Sequence, residues 1–209
     1  MSREHERLAA STRHLVDAVL TAQTTPAELD AATAAIEAVV ARLIAARVAD
    51  VADPKVERTH DDYLPRSPLV GSASPVAPPF DVELTPDGIE ARGVFGTVYQ
   101  GPPGYVHGGW VALAFDEALG MANSASGHPG LTGRLTVRYR RPTPLHTEVV
   151  FEAHTARVDG RRITTVGTLH ADGKVTAEAE GLFVVLGTER SLEYFGERPT
   201  TPEPTDPLP

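Results

Sequence analysis

The stretch His107-Gly108-Gly109-Trp110-Val111-Ala112-Leu113-Ala114-Phe115-Asp116-Glu117-Ala118-Leu119-Gly120-Met121-Ala122 decides how this chain folds. Read as a helix it is apolar almost all the way round, and such a helix has to be buried. Beyond it the periodicity changes to two, in Leu135-Val137-Tyr139, Val149-Phe151-Ala153, Ile163-Thr165-Gly167-Leu169 and Val175-Ala177-Ala179, which reads as strands. Three Asp-Gly pairs, at 87-88, 159-160 and 172-173, mark tight hairpin turns that tolerate positive φ. The result is an antiparallel meander, and the run from Leu182 to Leu186 predicts a strand covered on both faces. A long curved antiparallel sheet wrapped around the one greasy helix satisfies both patterns, so the fold class is α+β.

Working outward, residues 1–50 predict two helices, since Leu8, Leu15, Val16 and Val19, then Leu29, Ile36, Val40 and Leu43, recur at helical spacing. Thr25-Pro26 with Glu28 supplies a capping hydroxyl, a proline at the first helical position and an acid three residues on. The apolar stripe of this alanine-rich extension must be covered by the main domain or by a second subunit. Six prolines between Pro65 and Pro86 mark an extended connector rather than a core element. The expected divisions are a helical extension at 1–50, a connector at 51–79, the main domain at 80–190 and a proline-rich tail at 191–209.

Composition narrows the function. With 19 Lys and Arg against 28 Asp and Glu the net charge is −9, which disfavours nucleic-acid or anionic-membrane partners. No cysteine is present, so there is no disulfide, no cysteine-bound zinc and no thiol nucleophile. That composition permits a reducing compartment, and the expected location is the cytoplasm. The first residues lack a signal-peptide apolar region, and no run is long enough for a membrane span.

Two features of the central helix are hard to explain as packing: the His107-Gly108-Gly109 entrance and Asp116 in its apolar middle. The first amide groups of a helix lack partners and sit at the positive end of its dipole, so Gly108 and Gly109 can stabilise an oxyanion on an acyl carbonyl. A carboxylate half-buried among apolar groups can activate water, or attack a carbonyl itself. That group is Asp116, with Glu117, about 100° round the helix, as the fallback. Gly109 and Asp116 share a face but lie roughly 10 Å apart along the axis. One carbonyl cannot touch both, so a site using both requires the glycine of one subunit and the acid of another, hence a homodimer.

These residues resemble the hotdog-fold acyl-CoA thioesterases of the phenylacetyl-CoA, or PaaI-like, branch. The resemblance covers about residues 80 to 187. It rests on Gln100-Gly-Pro-Pro-Gly-Tyr-Val-His-Gly-Gly109, on Asp116-Glu117, on Leu135-Thr-Val-Arg-Tyr-Arg-Arg-Pro142 and on Gly181-Leu-Phe-Val184. It implies a hotdog fold and hydrolysis of an acyl-CoA thioester, with no metal and no cofactor apart from the coenzyme A of the substrate. By resemblance Gly109 polarises the carbonyl, Asp116 is the nucleophile or general base, and Thr132 helps to place water. His107, Gly108 and Gln100 would border the substrate, His107 chiefly by shaping its loop. Many relatives carry an asparagine six residues before this histidine, where the present chain has Gly101. Coenzyme A carries phosphates, for which Arg138, Arg140 and Arg141 offer a basic strip. A dimer is expected, with pairing of dimers into a tetramer left open.

A non-catalytic acyl-CoA sensor and, more remotely, a hotdog hydratase are the competing readings. No Gly-x-Ser-x-Gly elbow, Walker loop, His-Glu-x-x-His or dinucleotide fingerprint occurs. His60-Asp61-Asp62 reads as a solvated loop rather than a metal site.

Overall fold

The structure, a computed structural model, describes residues 2–46, 64–78 and 80–186. The helices are α1 (Arg3–Thr21), α2 (Pro26–Ala45) and α3 (Gly108–Ala125), with short 3-10 turns at Leu64–Arg66 and Thr97–Tyr99. The strands are β1 (Phe80–Thr85), β2 (Gly88–Val94), β3 (Leu131–Tyr139), β4 (Glu148–Asp159), β5 (Arg162–Ala171) and β6 (Lys174–Val184). They form one antiparallel sheet in the order β1-β2-β4-β5-β6-β3. The meander read from the sequence therefore holds for β4 to β6. β3 instead lies on the far edge against β6, because α3, about 27 Å long, precedes it and carries the chain across the sheet.

The sheet curls around α3. Val111, Ala114, Phe115, Ala118, Leu119, Ala122 and Asn123 are its buried residues, and they meet Phe151, Ile163, Leu169 and Phe183 in the core. Phe115 stands edge-on to Phe151 at 5.2 Å between ring centres. Each such buried side chain stabilises the fold by roughly 1.5–3 kcal/mol. The opposite face of α3 is only half covered: Ala112, Leu113, Asp116, Glu117, Gly120 and Met121 remain partly open. Residues of both outermost strands, Val82 and Leu84 of β1 and Leu131 and Thr132 of β3, border that face.

Two of the three Asp-Gly pairs behave as turn chemistry demands. Gly160 has φ 55°, and Asp172 and Gly173 have φ 49° and 69°. Gly88 differs, since neither it nor Asp87 has positive φ. A Cβ there would sit 2.0 Å from the Ala153 carbonyl oxygen, so close packing against β4 is the reason for glycine. The Leu182–Leu186 run is also not covered on both faces. Phe183 is buried while Leu182, Val184, Val185 and Leu186 are partly open, because among the described residues no second layer packs on the outer side of the sheet there.

The proline-rich connector differs from the extended spacer its composition suggests. Ser67, Leu69 and Ala77 are buried, and the Tyr99 hydroxyl donates to the Val76 carbonyl at 3.1 Å, with burial pushing its pKa up to about 12. Its prolines limit the chain's freedom while its few apolar residues plug into the core. α1 rests on this connector through Arg13, which donates to the Ser74 carbonyl at 2.7 Å, and through Ser72, which donates to Glu6 at 2.9 Å. The predicted start of α2 is present as a full capping box between Thr25 and Glu28, yet no residue of α2 is buried. The segment His60-Asp61-Asp62 and the proline-rich tail lie outside the described residues.

Candidate active site

α3 starts where His107 leaves an extended conformation and caps the helix with its own ring: Nδ1 accepts from the Gly109 amide at 2.9 Å. The Tyr139 hydroxyl donates to the Gly108 carbonyl at 2.7 Å. Side chains on the glycines would meet these groups, since a Cβ on Gly109 would lie 3.1 Å from the His107 Nδ1 and one on Gly108 would lie 3.4 Å from the Tyr139 ring. Gly109 thus gives the imidazole room to close on the helix entrance, while a side chain on Gly108 would merely touch the phenol. Among the described residues no group accepts from the Gly108 amide.

Two turns further along, Asp116 projects from the half-open face of α3. Thr132 on β3 donates its hydroxyl to the Asp116 Oδ1 at 2.9 Å, and Thr132 itself is exposed. Both line a groove of about 570 Å³ with Val82, Leu84, Gly120 and Phe183. A mainly apolar trough with a few polar groups, Asp116 and Thr132 among them, on its wall suits an apolar ligand with a polar reacting centre. Glu117 also borders the groove, but its carboxylate accepts from the buried Ser67 hydroxyl at 2.7 Å. The fallback acid is thereby tied to the connector while Asp116 faces the opening.

The structure does not bring every expected residue to this groove. Gln100 is exposed and forms an isolated bridge with Val106 beside the helix entrance. Arg140 pairs with Glu178 at 2.7 Å, which raises the guanidinium pKa and lowers that of the carboxylate. Arg141 donates to the Val175 carbonyl at 2.7 Å. Arg138 lines a depression of about 600 Å³ on the outer face of the sheet with Glu152, His154 and Glu178. Within one chain the arginine strip and the Asp116 groove lie on opposite faces of the sheet. Ser67 and Tyr139 escaped the sequence reading: a serine among prolines carries no spacing signal, and Tyr139 reads simply as one more residue in strand alternation.

A curved antiparallel sheet wrapped around one helix, with an acid on the open face of that helix, defines a hotdog-fold protein. Residues 103–178 match the thioesterase superfamily. The crystal structure of a thioesterase superfamily protein is 34% identical with a TM-score of 0.79, covering 86% of this chain and 90% of that one. Acyl-coenzyme A thioesterase THEM4 of Bos taurus is 35% identical over 98 residues, which is 46% of this chain and 40% of that protein. Its Xenopus laevis counterpart is 32% identical over 93 residues, 44% of this chain and 42% of that one. The chain therefore aligns with about two-fifths of the length of these curated relatives. It belongs to the thioesterase superfamily. Among the described residues no helix is long and apolar enough to cross a membrane.

Proposed function

We propose that the protein hydrolyses an acyl-CoA thioester to the free acid and coenzyme A, acting as a homodimer. The observation that carries this reading is the Thr132 to Asp116 hydrogen bond on the wall of an open apolar groove. In the proposed reaction water adds to the thioester carbonyl as Asp116 accepts its proton, or Asp116 itself attacks and water cleaves the resulting anhydride. The carbon–sulfur bond breaks as the water adduct collapses or, on the second route, as the anhydride forms and before water cleaves it, and on either route coenzyme A leaves as a thiol after taking up a proton. Thr132 orients the carboxylate and the incoming water. Gly109 of the facing subunit polarises the carbonyl, which requires the exposed His107 ring to release that amide. The adjacent Gly108 amide supplies a second donor at the positive end of α3.

The dimer is supported by position. Gly109 and Asp116 sit roughly 10 Å apart along one helix, too far to share a carbonyl. β3 is a nine-residue edge strand with Leu131 at 47% and Tyr139 at 54% exposure, a surface suited to pairing with a second copy. On such pairing Arg138, with Gln100 and His107, would border the facing groove and meet the phosphates or pantetheine arm of the substrate. Arg140 and Arg141 would chiefly hold the end of β3.

A thiol-release assay over a series of acyl-CoA chain lengths tests the reading. Asp116→Asn is expected to lower kcat by about 10²–10⁴-fold, the usual contribution of a positioned base. Equal rates for wild type and variant would remove Asp116 from the reaction, and an intact thioester after long incubation with wild type would leave only a binding role.

A further inference from the structure

Among the described residues, α2 is a finished helix that buries none of its side chains. It runs 20 residues with a capping box at its start, and Ile36 alone among its residues is even half-buried. Leu29 is 49% exposed, Val39 39% and Leu43 47%. Most helical stability in proteins comes from packing an apolar face rather than from propensity, so a regular helix with an exposed apolar stripe calls for a partner surface. Among the described residues the connector holds α1, through Arg13 and Glu6, and the Thr97–Tyr99 turn packs against it, while no element of the main domain packs comparably on α2.

The order of residues says what fits there. Leu29, Ile36 and Leu43 recur every seven positions, and Ala32 and Val39 fill the intervening positions of the same repeat, the arrangement of two helices packed along a shared seam. The positions flanking the seam are Glu28, Ala35 and Arg42 on one side and Thr33 and Val40 on the other. Glu28 and Asp30 stand in the first turns and Arg42 in the last, with Glu37 between them on the side away from the seam. A parallel pair would set like charges side by side at both ends, whereas an antiparallel pair sets each acidic end beside a basic one.

We propose that α2 is an assembly helix: the α2 helices of two copies of this chain pack antiparallel about a twofold axis near Ala34. In this register Leu29 faces the partner's Val39, Ala32 faces the partner's Ile36, and Glu28 lies beside the partner's Arg42. The contact is isologous, so every pairing occurs twice. It is separate from the β3 edge and does not depend on the chemistry of the groove.

The absence of native cysteine makes the register directly readable. In the double variant Leu29→Cys/Val39→Cys each introduced thiol faces its counterpart, and mild oxidation of the full chain is expected to give a covalent dimer that reducing agent splits. Each single variant should remain uncross-linked, because its two copies are offset by about 15 Å along the axis, beyond the span of a disulfide. Self-cross-linking of Leu29→Cys alone would establish a parallel pair and overturn the proposal. So would a double variant that stays monomeric under oxidation, the result expected if α2 folds back on α1 or on residues 47–63 of its own chain. Since these positions are exposed, circular dichroism should show both variants folded. Arg42→Glu provides a second measurement: light scattering should show a smaller assembly than wild type at equal concentration, and an unchanged mass refutes the seam.

Discussion

α2 and α3 are similar helices in different circumstances. Both are about twenty residues long and alanine-rich, yet α3 has seven buried residues and α2 has none. Helix formation is a local property of both sequences, while burial depends on what the rest of the chain delivers. The sheet curls around α3, whose open side carries the acid, and among the described residues nothing covers the apolar seam of α2. The buried core contacts are concentrated on α3, which also carries the acid of the groove, and α2 buries none of its residues among those described.

The comparison breaks first at the core. Phe115→Ala, at a site with 0% exposure, is expected to destabilise the domain by about 3–5 kcal/mol in denaturant unfolding. Leu43→Ala on α2 should leave unfolding of the sheet unchanged and shift only the assembly. Equal losses from the two variants would mean that α2 belongs to the same cooperative unit.

Next in size is the groove. Thr132→Val removes the hydroxyl that holds Asp116, and a hydrogen bond to a charged group contributes about 1.5–3 kcal/mol, so kcat should fall roughly tenfold or more. Thr132→Ser, which keeps the hydroxyl, should recover most of it. Loss in both variants alike would assign Thr132 to packing.

Smaller again is the cap of α3. His107→Ala deprives the Gly109 amide of its acceptor and should lower stability by about 1 kcal/mol, read as a drop in Tm. If the imidazole blocks the amide before substrate arrives, the same variant should retain activity within a few-fold. An activity loss as deep as that of Asp116→Asn would give His107 a direct part in the reaction.

The smallest effect is expected at the start of α2. The Glu28 carboxyl is held below its ordinary value of 4.5 by the Thr24 hydroxyl first, then by the Thr25 amide and hydroxyl. A lowered folded-state pKa means that the cap contributes fully above the ordinary value and is lost as pH falls through the lowered one. Helical circular dichroism should therefore decline slightly more steeply in acid for wild type than for Glu28→Gln.

Much of this molecule was legible in its sequence. Period-two alternation, the all-round apolar helix and the Thr25 capping box are local patterns, and each reappears in the structure because a residue's face and its cap depend on neighbours a few positions away. The His107-Gly108-Gly109 entrance and Asp116 were equally visible, since an acid among apolar residues stands out against a helical period. The pairing of β3 with β6, the burial of Leu69 and Ala77, the Ser67 bond that occupies Glu117 and the capture of the Gly109 amide by His107 were not visible. The strand pairing and the Ser67 bond cross tens of residues of chain, whereas the His107 cap spans only two and depends on a ring orientation that spacing does not set.

What sequence alone determined is therefore which segments become helices and strands, which face of each is apolar, and that one acid sits where a solvent-exposed surface would not place it. Tertiary structure decided which of two neighbouring acids faces the groove, which side of the sheet the arginines occupy, and which helix is left uncovered. Hydrophobic periodicity is set along the chain, whereas hydrogen-bond partners and open faces exist only once the curled sheet has brought distant residues together.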